Sequence, residues 1–321
     1  MTKVIYVDDS NWYDGFAKRG PELVQRLGNH VAKPLRWKPI NEFFYAGAST
    51  EFEDIALFSL KVEKDLVKAK QYLYYSELCK VRHYLEFAKG ATSVMDAAMA
   101  TFFKTPLSGS SHLYSFFAAL RVPHQKSDTK SKVLIMRRHY ATLQQAAMIK
   151  DRVWLAKELE SFENACKNEP SVDNTNITGF YQAIVDNDAD GVEKALMAQL
   201  DPKEIKKRSK NYGQTIPGRF MAWLTMWCAK VAWINGYEIE IDHPFIISEL
   251  LPDTQPSPTT TIESNPYPFL IDPVLENFDF WHYGGEQSDE EVQAHNQAIF
   301  QTRIPAKYDG VENFVKLPPD E

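Results

Sequence analysis

From Glu51 to Lys89 the chain runs thirty-nine residues without a proline, and no other feature limits the fold as much. Proline removes a backbone donor and clashes with the turn before it, so a stretch of this length without one is free to be helix throughout. Within it Ile55, Phe58, Leu60, Val62, Leu66, Tyr72, Leu73, Tyr75, Leu78 and Tyr84 place apolar side chains on one or two helical faces. The spacing predicts one long helix or a helical hairpin.

The same period recurs along the chain. It predicts helices at about 92–103, 109–122, 131–149 and 151–167, separated by short polar, glycine or proline breaks. Asp173 to Val185 and Asp190 to Leu200 read as short helices, followed by a basic one over Pro202 to Lys210. The sharpest pattern lies between Pro217 and Asn235. There Phe220, Trp223, Leu224, Trp227 and Val231 fall at i, i+3, i+4, i+7 and i+11, with Pro217 suited to a first turn and Gly236 to a C-terminal stop. A short strand is expected at Val4 to Tyr6.

Glycine is scarce, at 14 residues, and no unit of about 30 to 45 residues repeats. The expected fold is therefore mostly all-α, with antiparallel helical hairpins packed in one bundle-like or irregular solenoid-like body. An N-terminal helical region (1–170) and a C-terminal one (171–321) are expected, either as two units or as one continuous domain.

Beyond Pro252 the helical period fades. Pro252, Pro256, Pro258, Pro266, Pro268 and Pro273 punctuate the chain as far as Gly285, and Tyr267, Phe269, Phe278, Phe280, Trp281 and Tyr283 are interleaved among them. A stretch this long without a period is functional, wrapped on the body or disordered, and its aromatic area argues against plain disorder. A last helix is expected over Ser288 to Arg303, opening with Asp289, Glu290 and Glu291, where the helix dipole favours carboxylates.

Charge divides the molecule. Residues 238–321 hold 17 acidic side chains against three basic ones, Arg303, Lys307 and Lys316, while residues 1–237 carry 33 basic against 26 acidic. A field of this kind attracts a basic partner and repels nucleic acid. Two basic stretches, Arg121 to Arg138 and Lys203 to Lys210, lack interleaved aromatics for base stacking; the second is expected to be a solvated helix face, and the acidic quarter is as plausible a partner as nucleic acid. No nucleic-acid contact is therefore expected.

Few chemistries fit the remaining residues. Asp186-Asn187-Asp188-Ala189-Asp190-Gly191 matches the first half of a calcium loop, but Met197 stands where the bidentate Glu belongs. The expected role is a tight helix connection with Asp188 or Asp190 as cap. No pair of histidines falls at helical metal-binding spacing, and no phosphate-binding glycine loop or nucleophile elbow occurs. Cys79, Cys166 and Cys228 are odd in number and far apart, which fits buried thiols better than disulfides or zinc. No apolar run is long enough to span a membrane and the N-terminus lacks a secretory pattern. A cytoplasmic protein without metal, cofactor or catalytic residues is expected.

Residues from about Ala195 to Pro252 resemble a known family. Leu196 to Leu200, the helix carrying Trp223, Leu224, Cys228, Ala229 and Ala232, the stretch Gly236-Tyr237-Glu238-Ile239-Glu240-Ile241-Asp242-His243-Pro244, and Ser248-Glu249-Leu250-Leu251-Pro252 are similar to the C-terminal half of bacterial polymorphic-toxin immunity proteins of the immunity protein 49 family. The resemblance implies a helical, non-enzymatic cytoplasmic protein that blocks one toxin in interbacterial competition, type VI secretion included. Trp223, Gly236, Pro244, Leu250 and Leu251 would be structural residues in such a protein.

The combined expectation is an inhibitor that occludes the basic groove of a cognate toxin, most naturally a nuclease. Carboxylates of Asp272, Glu276, Asp279, Asp289, Glu290 and Glu291 would stand in for phosphates, and Trp281 and Tyr283 would serve as apolar anchors. The alternative is a non-enzymatic helical scaffold that binds another protein or peptide.

Overall fold

Helices form in this chain where apolar residues recur every three to four positions, and several end where an aspartate follows a residue in left-handed backbone conformation. A computed structural model describes residues 10–36, 42–87, 107–111, 113, 118, 132–167, 175–205 and 221–253. In chain order the elements are α1 (Ser10–Ala17), α2 (Gly20–Arg36), α3 (Glu42–Phe58), a π-helical turn (Ser59–Glu63), α4 (Leu66–Phe87), α5 (Lys132–Met148), α6 (Arg152–Lys167), α7 (Thr175–Asp186), α8 (Ala189–Gln199), α9 (Trp223–Ile234) and a 3-10 turn (Ser248–Leu250). Among the described residues there is no strand, and the fold is all-α.

The proline-free stretch is a hairpin. Its first helix begins at Glu42, earlier than the spacing suggested, and the break falls at Lys64, which has φ 59°. Asp65 then caps α4 by accepting from the Lys68 amide at 2.9 Å. The same device joins α5 to α6 and α7 to α8. Lys150 (φ 62°) and Asn187 (φ 58°) occupy the left-handed position. The amides of Asp151 and Asp188 reach back five residues, to the carbonyls of Ala146 and Ala183, which closes each helix in a Schellman turn. The same two aspartates then open the next helix, accepting from the amides of Trp154 at 2.9 Å and Gly191 at 3.0 Å. One aspartate thus serves both helices through its backbone and its side chain, and the connection needs no spare residues. Of the two capping candidates in the calcium-like run, Asp188 is the cap.

The strongest sequence pattern was extended too far at its start. Met221 and Ala222 are not helical and α9 begins at Trp223, because the Ala222 amide donates to the Phe245 carbonyl at 2.9 Å and is committed to the returning chain. The far end is as expected, with Gly236 at φ 90° closing the helix. The Val4 to Tyr6 strand, the helix at 92–103, most of the helix at 109–122, the end of the basic helix after Ile205 and everything after Asp253 lie outside the described residues.

Neighbours in sequence are neighbours in space. Helix α2 packs on α3 and α3 on α4; α5 packs on α6, α6 on α7 and α7 on α8, while α9 lies against α8 and α5. Aromatic rings fill the joints. Phe16 meets Phe58 edge-on at 5.8 Å between centroids, and Phe52 lies 5.5 Å from Tyr75 between α3 and α4. Tyr140 of α5 sits 5.8 Å from Phe162 of α6 and 6.2 Å from Tyr181 of α7. One apolar core runs from Phe16 to Leu251 and continues across position 170. Cys79 and Cys228 are buried within it as expected, whereas Cys166 is only half-buried.

The shared-aspartate turn makes a direct prediction. Asp188→Ala should cost about 1 kcal/mol, read as a lower urea midpoint, and Asp190→Ala in the same turn should cost clearly less. Equal losses would show that the Asp188 cap contributes nothing of its own.

Candidate functional site

Asp272, Glu276, Asp279, Trp281, Tyr283, Asp289, Glu290 and Glu291, expected to face a partner, all lie outside the described residues. The structure does show what holds the chain just before that segment begins. Lys230 is the one charged residue between Met221 and Asn235, and α9 carries it into the core at 0 % exposure. An ammonium removed from water costs several kcal/mol unless oxygen atoms surround it. Here they come from the returning chain: Lys230 Nζ donates to the Leu251 carbonyl at 2.7 Å and to the Asp253 carboxylate.

A second buried lysine holds the residue between Leu251 and Asp253. Lys70 of α4, 3 % exposed, donates to the Pro252 carbonyl at 3.1 Å. Gly109, at φ 82°, lies between these groups: a β-carbon there would stand 3.5 Å from Lys70 Nζ and 3.9 Å from the Pro252 carbonyl. The loop bearing Gly109 is fixed from α4 by Glu77, which accepts from the amides of Leu107 at 2.7 Å and Ser108 at 3.0 Å, and from the Ser108 hydroxyl. The cluster therefore gathers α4, α9, the loop 107–110 and the chain at 251–253 around two ammonium and two carboxylate groups.

Burial dominates its electrostatics. Lys230 is held below the usual lysine range by burial, against the opposing pull of Asp253. Lys70 is lowered by burial and by the like charge of Lys230. Burial raises the Glu77 carboxyl, with the Ser108 bonds and Lys80 working against it. Both Glu77 oxygens accept hydrogen bonds from the loop, so this arrangement ties segments together.

Two further charged groups sit inside the helical body. Glu158 accepts from Thr142 Oγ1 at 2.7 Å and Trp154 Nε1 at 3.2 Å, with His139 Nδ1 at 3.5 Å. Burial acts to raise it, but these partners outweigh burial and hold it below the ordinary carboxylate range. Asp54 of α3 faces Arg26 of α2 at 3.3 Å, yet its other oxygen has no hydrogen-bond partner. Burial pushes Asp54 up to about 7, the neighbouring charges of Glu53 and Glu51 assisting and Arg26 opposing.

Sequence reasoning missed Lys70, Glu77, Lys230 and Asp253. Only Lys230 carried a visible signal, a lone charge on an otherwise apolar helix; the others depend on which distant segments meet. Of the residues tied to the family resemblance, Trp223, Leu250 and Leu251 are buried, Gly236 takes the left-handed turn and Pro244 is exposed. Among the described residues no group of three or more His, Cys, Asp and Glu is placed to hold a metal ion, and no helix is long and apolar enough to cross a membrane. Compared with family models, curated proteins and solved structures, the chain finds no match in any of the three.

Asp54 gives a pH dependence of known sign. Its value of about 7 in the folded chain lies above the 3.8 of an ordinary aspartate, so the folded state binds the proton more tightly. The contribution is fully present below the lower value and is lost as pH rises toward the higher one. Urea midpoints should therefore fall for wild type between pH 5 and pH 8 and fall less for Asp54→Asn; parallel slopes would refute the assignment.

Proposed function

We propose that this chain is an immunity protein that binds one antibacterial toxin, a nuclease, and neutralises it by covering the groove that receives nucleic acid. The observation that carries the reading is the charge division, 17 acidic against three basic residues over 238–321. A nuclease must present a cationic channel to phosphates, and a surface of opposite sign is drawn to that channel before any close contact forms. The resemblance of residues 195–252 to the immunity protein 49 family supports the same reading.

The mechanism is occlusion. Asp272, Glu276, Asp279, Asp289, Glu290 and Glu291 take the places of phosphates, while Trp281 and Tyr283 bury apolar area and slow dissociation. Aromatic anchors among carboxylates divide the work between residence time and steering. A non-enzymatic helical scaffold that binds another protein or peptide is the second reading, which binding to unrelated peptides would favour.

Co-expression with the toxin encoded beside this chain tests the proposal. Rescue of growth together with a co-purifying complex is expected; no rescue and no complex with any neighbouring product would favour the scaffold. Within such a complex, reversing Asp279, Glu290 and Glu291 together should slow association by roughly tenfold at low salt. Trp281→Ala should act mainly on dissociation, by about thirtyfold if it is an energetic centre of the interface. An unchanged affinity in both variants would place the interface elsewhere.

A further inference from the structure

We propose that Lys70 and Lys230 form a two-pronged clamp that holds Leu251, Pro252 and Asp253 as a strap across the helical body, and that this strap opens locally while the helices stay folded. The proposal is independent of the toxin reading and concerns how residues 251–253 are fastened.

Three observations carry it. First, the prongs come from separate helices, α4 and α9, and meet consecutive residues of one short stretch: Lys230 the carbonyl of Leu251 and the carboxylate of Asp253, and Lys70 the carbonyl of Pro252. Second, the strap has little structure of its own to keep it in place. Among the described residues its nearest regular element is a single 3-10 turn, in which the amides of Leu250 and Leu251 bond the carbonyls of Ile247 and Ser248. The lysines and the buried side chains of Leu250 and Leu251 contribute to the hold.

Third, the clamp is asymmetric with respect to water. Lys230 has no exposure, whereas the Asp253 side chain is 43 % exposed. Water reaches the strap side of the ion pair first, so opening starts at Asp253 and hydrates the ammonium groups as the strap lifts. Glu77 stays behind in the body, fastened to the loop 107–110. Each helix keeps its own hydrogen-bond ladder in the open state.

Local opening is what native-state hydrogen exchange detects. In Asp253→Ala the Leu251 amide should exchange roughly tenfold to a hundredfold faster, the range expected for loss of a charge-assisted bond, while the amides of α7 and α8 stay within about twofold of wild type. Lys230→Met should give the same pattern, and adding Asp253→Ala to it should accelerate exchange little further. An unchanged Leu251 rate, or an equal acceleration in every helix, would overturn the clamp. Asp253→Asn keeps an oxygen beside Lys230 and removes the charge, so that variant decides the matter if Asp253→Ala or Lys230→Met does not fold.

Discussion

An ammonium group shut away from water has to find oxygen atoms inside the protein, and Lys230 finds them because the chain turns back over α9. Gly236 ends the helix at φ 90°, and the following residues return along it. The Ala222 amide bonds the Phe245 carbonyl, and Ser248 Oγ reaches the Ile241 carbonyl. That return delivers Leu251 and Asp253 to Lys230 and Pro252 to Lys70 of α4. A charge that would be costly to bury alone thus becomes a point at which distant parts of the chain meet. Asn235 adds a neighbouring tie, its side chain donating to the Ala147 carbonyl at the end of α5.

Elsewhere the architecture relies on one small device used three times. A left-handed residue followed by aspartate closes one helix and opens the next at Lys64-Asp65, Lys150-Asp151 and Asn187-Asp188. Helices joined so tightly double back on each other, and the apolar faces of α3 and α4, α5 and α6, and α7 and α8 are forced together. Asn187 does more than turn the chain. Its side-chain oxygen accepts from Arg152 at 2.7 Å and from the Tyr237 hydroxyl at 3.1 Å, so the α7–α8 turn is pinned to the start of α6 and to the end of α9.

Much of this was readable in the sequence because the helices are amphipathic and their stops are chemical. Helix α5 was expected at 131–149 and spans Lys132–Met148, and α6, expected at 151–167, spans Arg152–Lys167. The short polar break between them made the shared limit visible, and Asp151 occupies it. The start of α9 was misplaced because the residue that ends its pattern, Ala222, gives its amide to Phe245, a partner 23 positions away that no local rule supplies. The π-helical turn at Ser59–Glu63 left no trace in the spacing, since Leu60 and Val62 suit either helix. The buried cluster was less legible still. Glu77 and Lys70 look like ordinary surface charges of an amphipathic helix until the loop 107–110 and residues 251–253 close over them.

The described residues form an all-α body to which two buried lysines clamp residues 251–253, and in our reading the acidic segment beyond serves the partner. Such a division suits an inhibitor that has to find its target quickly: the field of the acidic quarter acts at a distance, and the aromatic residues act after contact. The most direct test is the association rate between this chain and the toxin encoded beside it, measured across a range of ionic strength. The account predicts an association rate that falls steeply as salt rises, with dissociation little changed. An association rate indifferent to salt would contradict it.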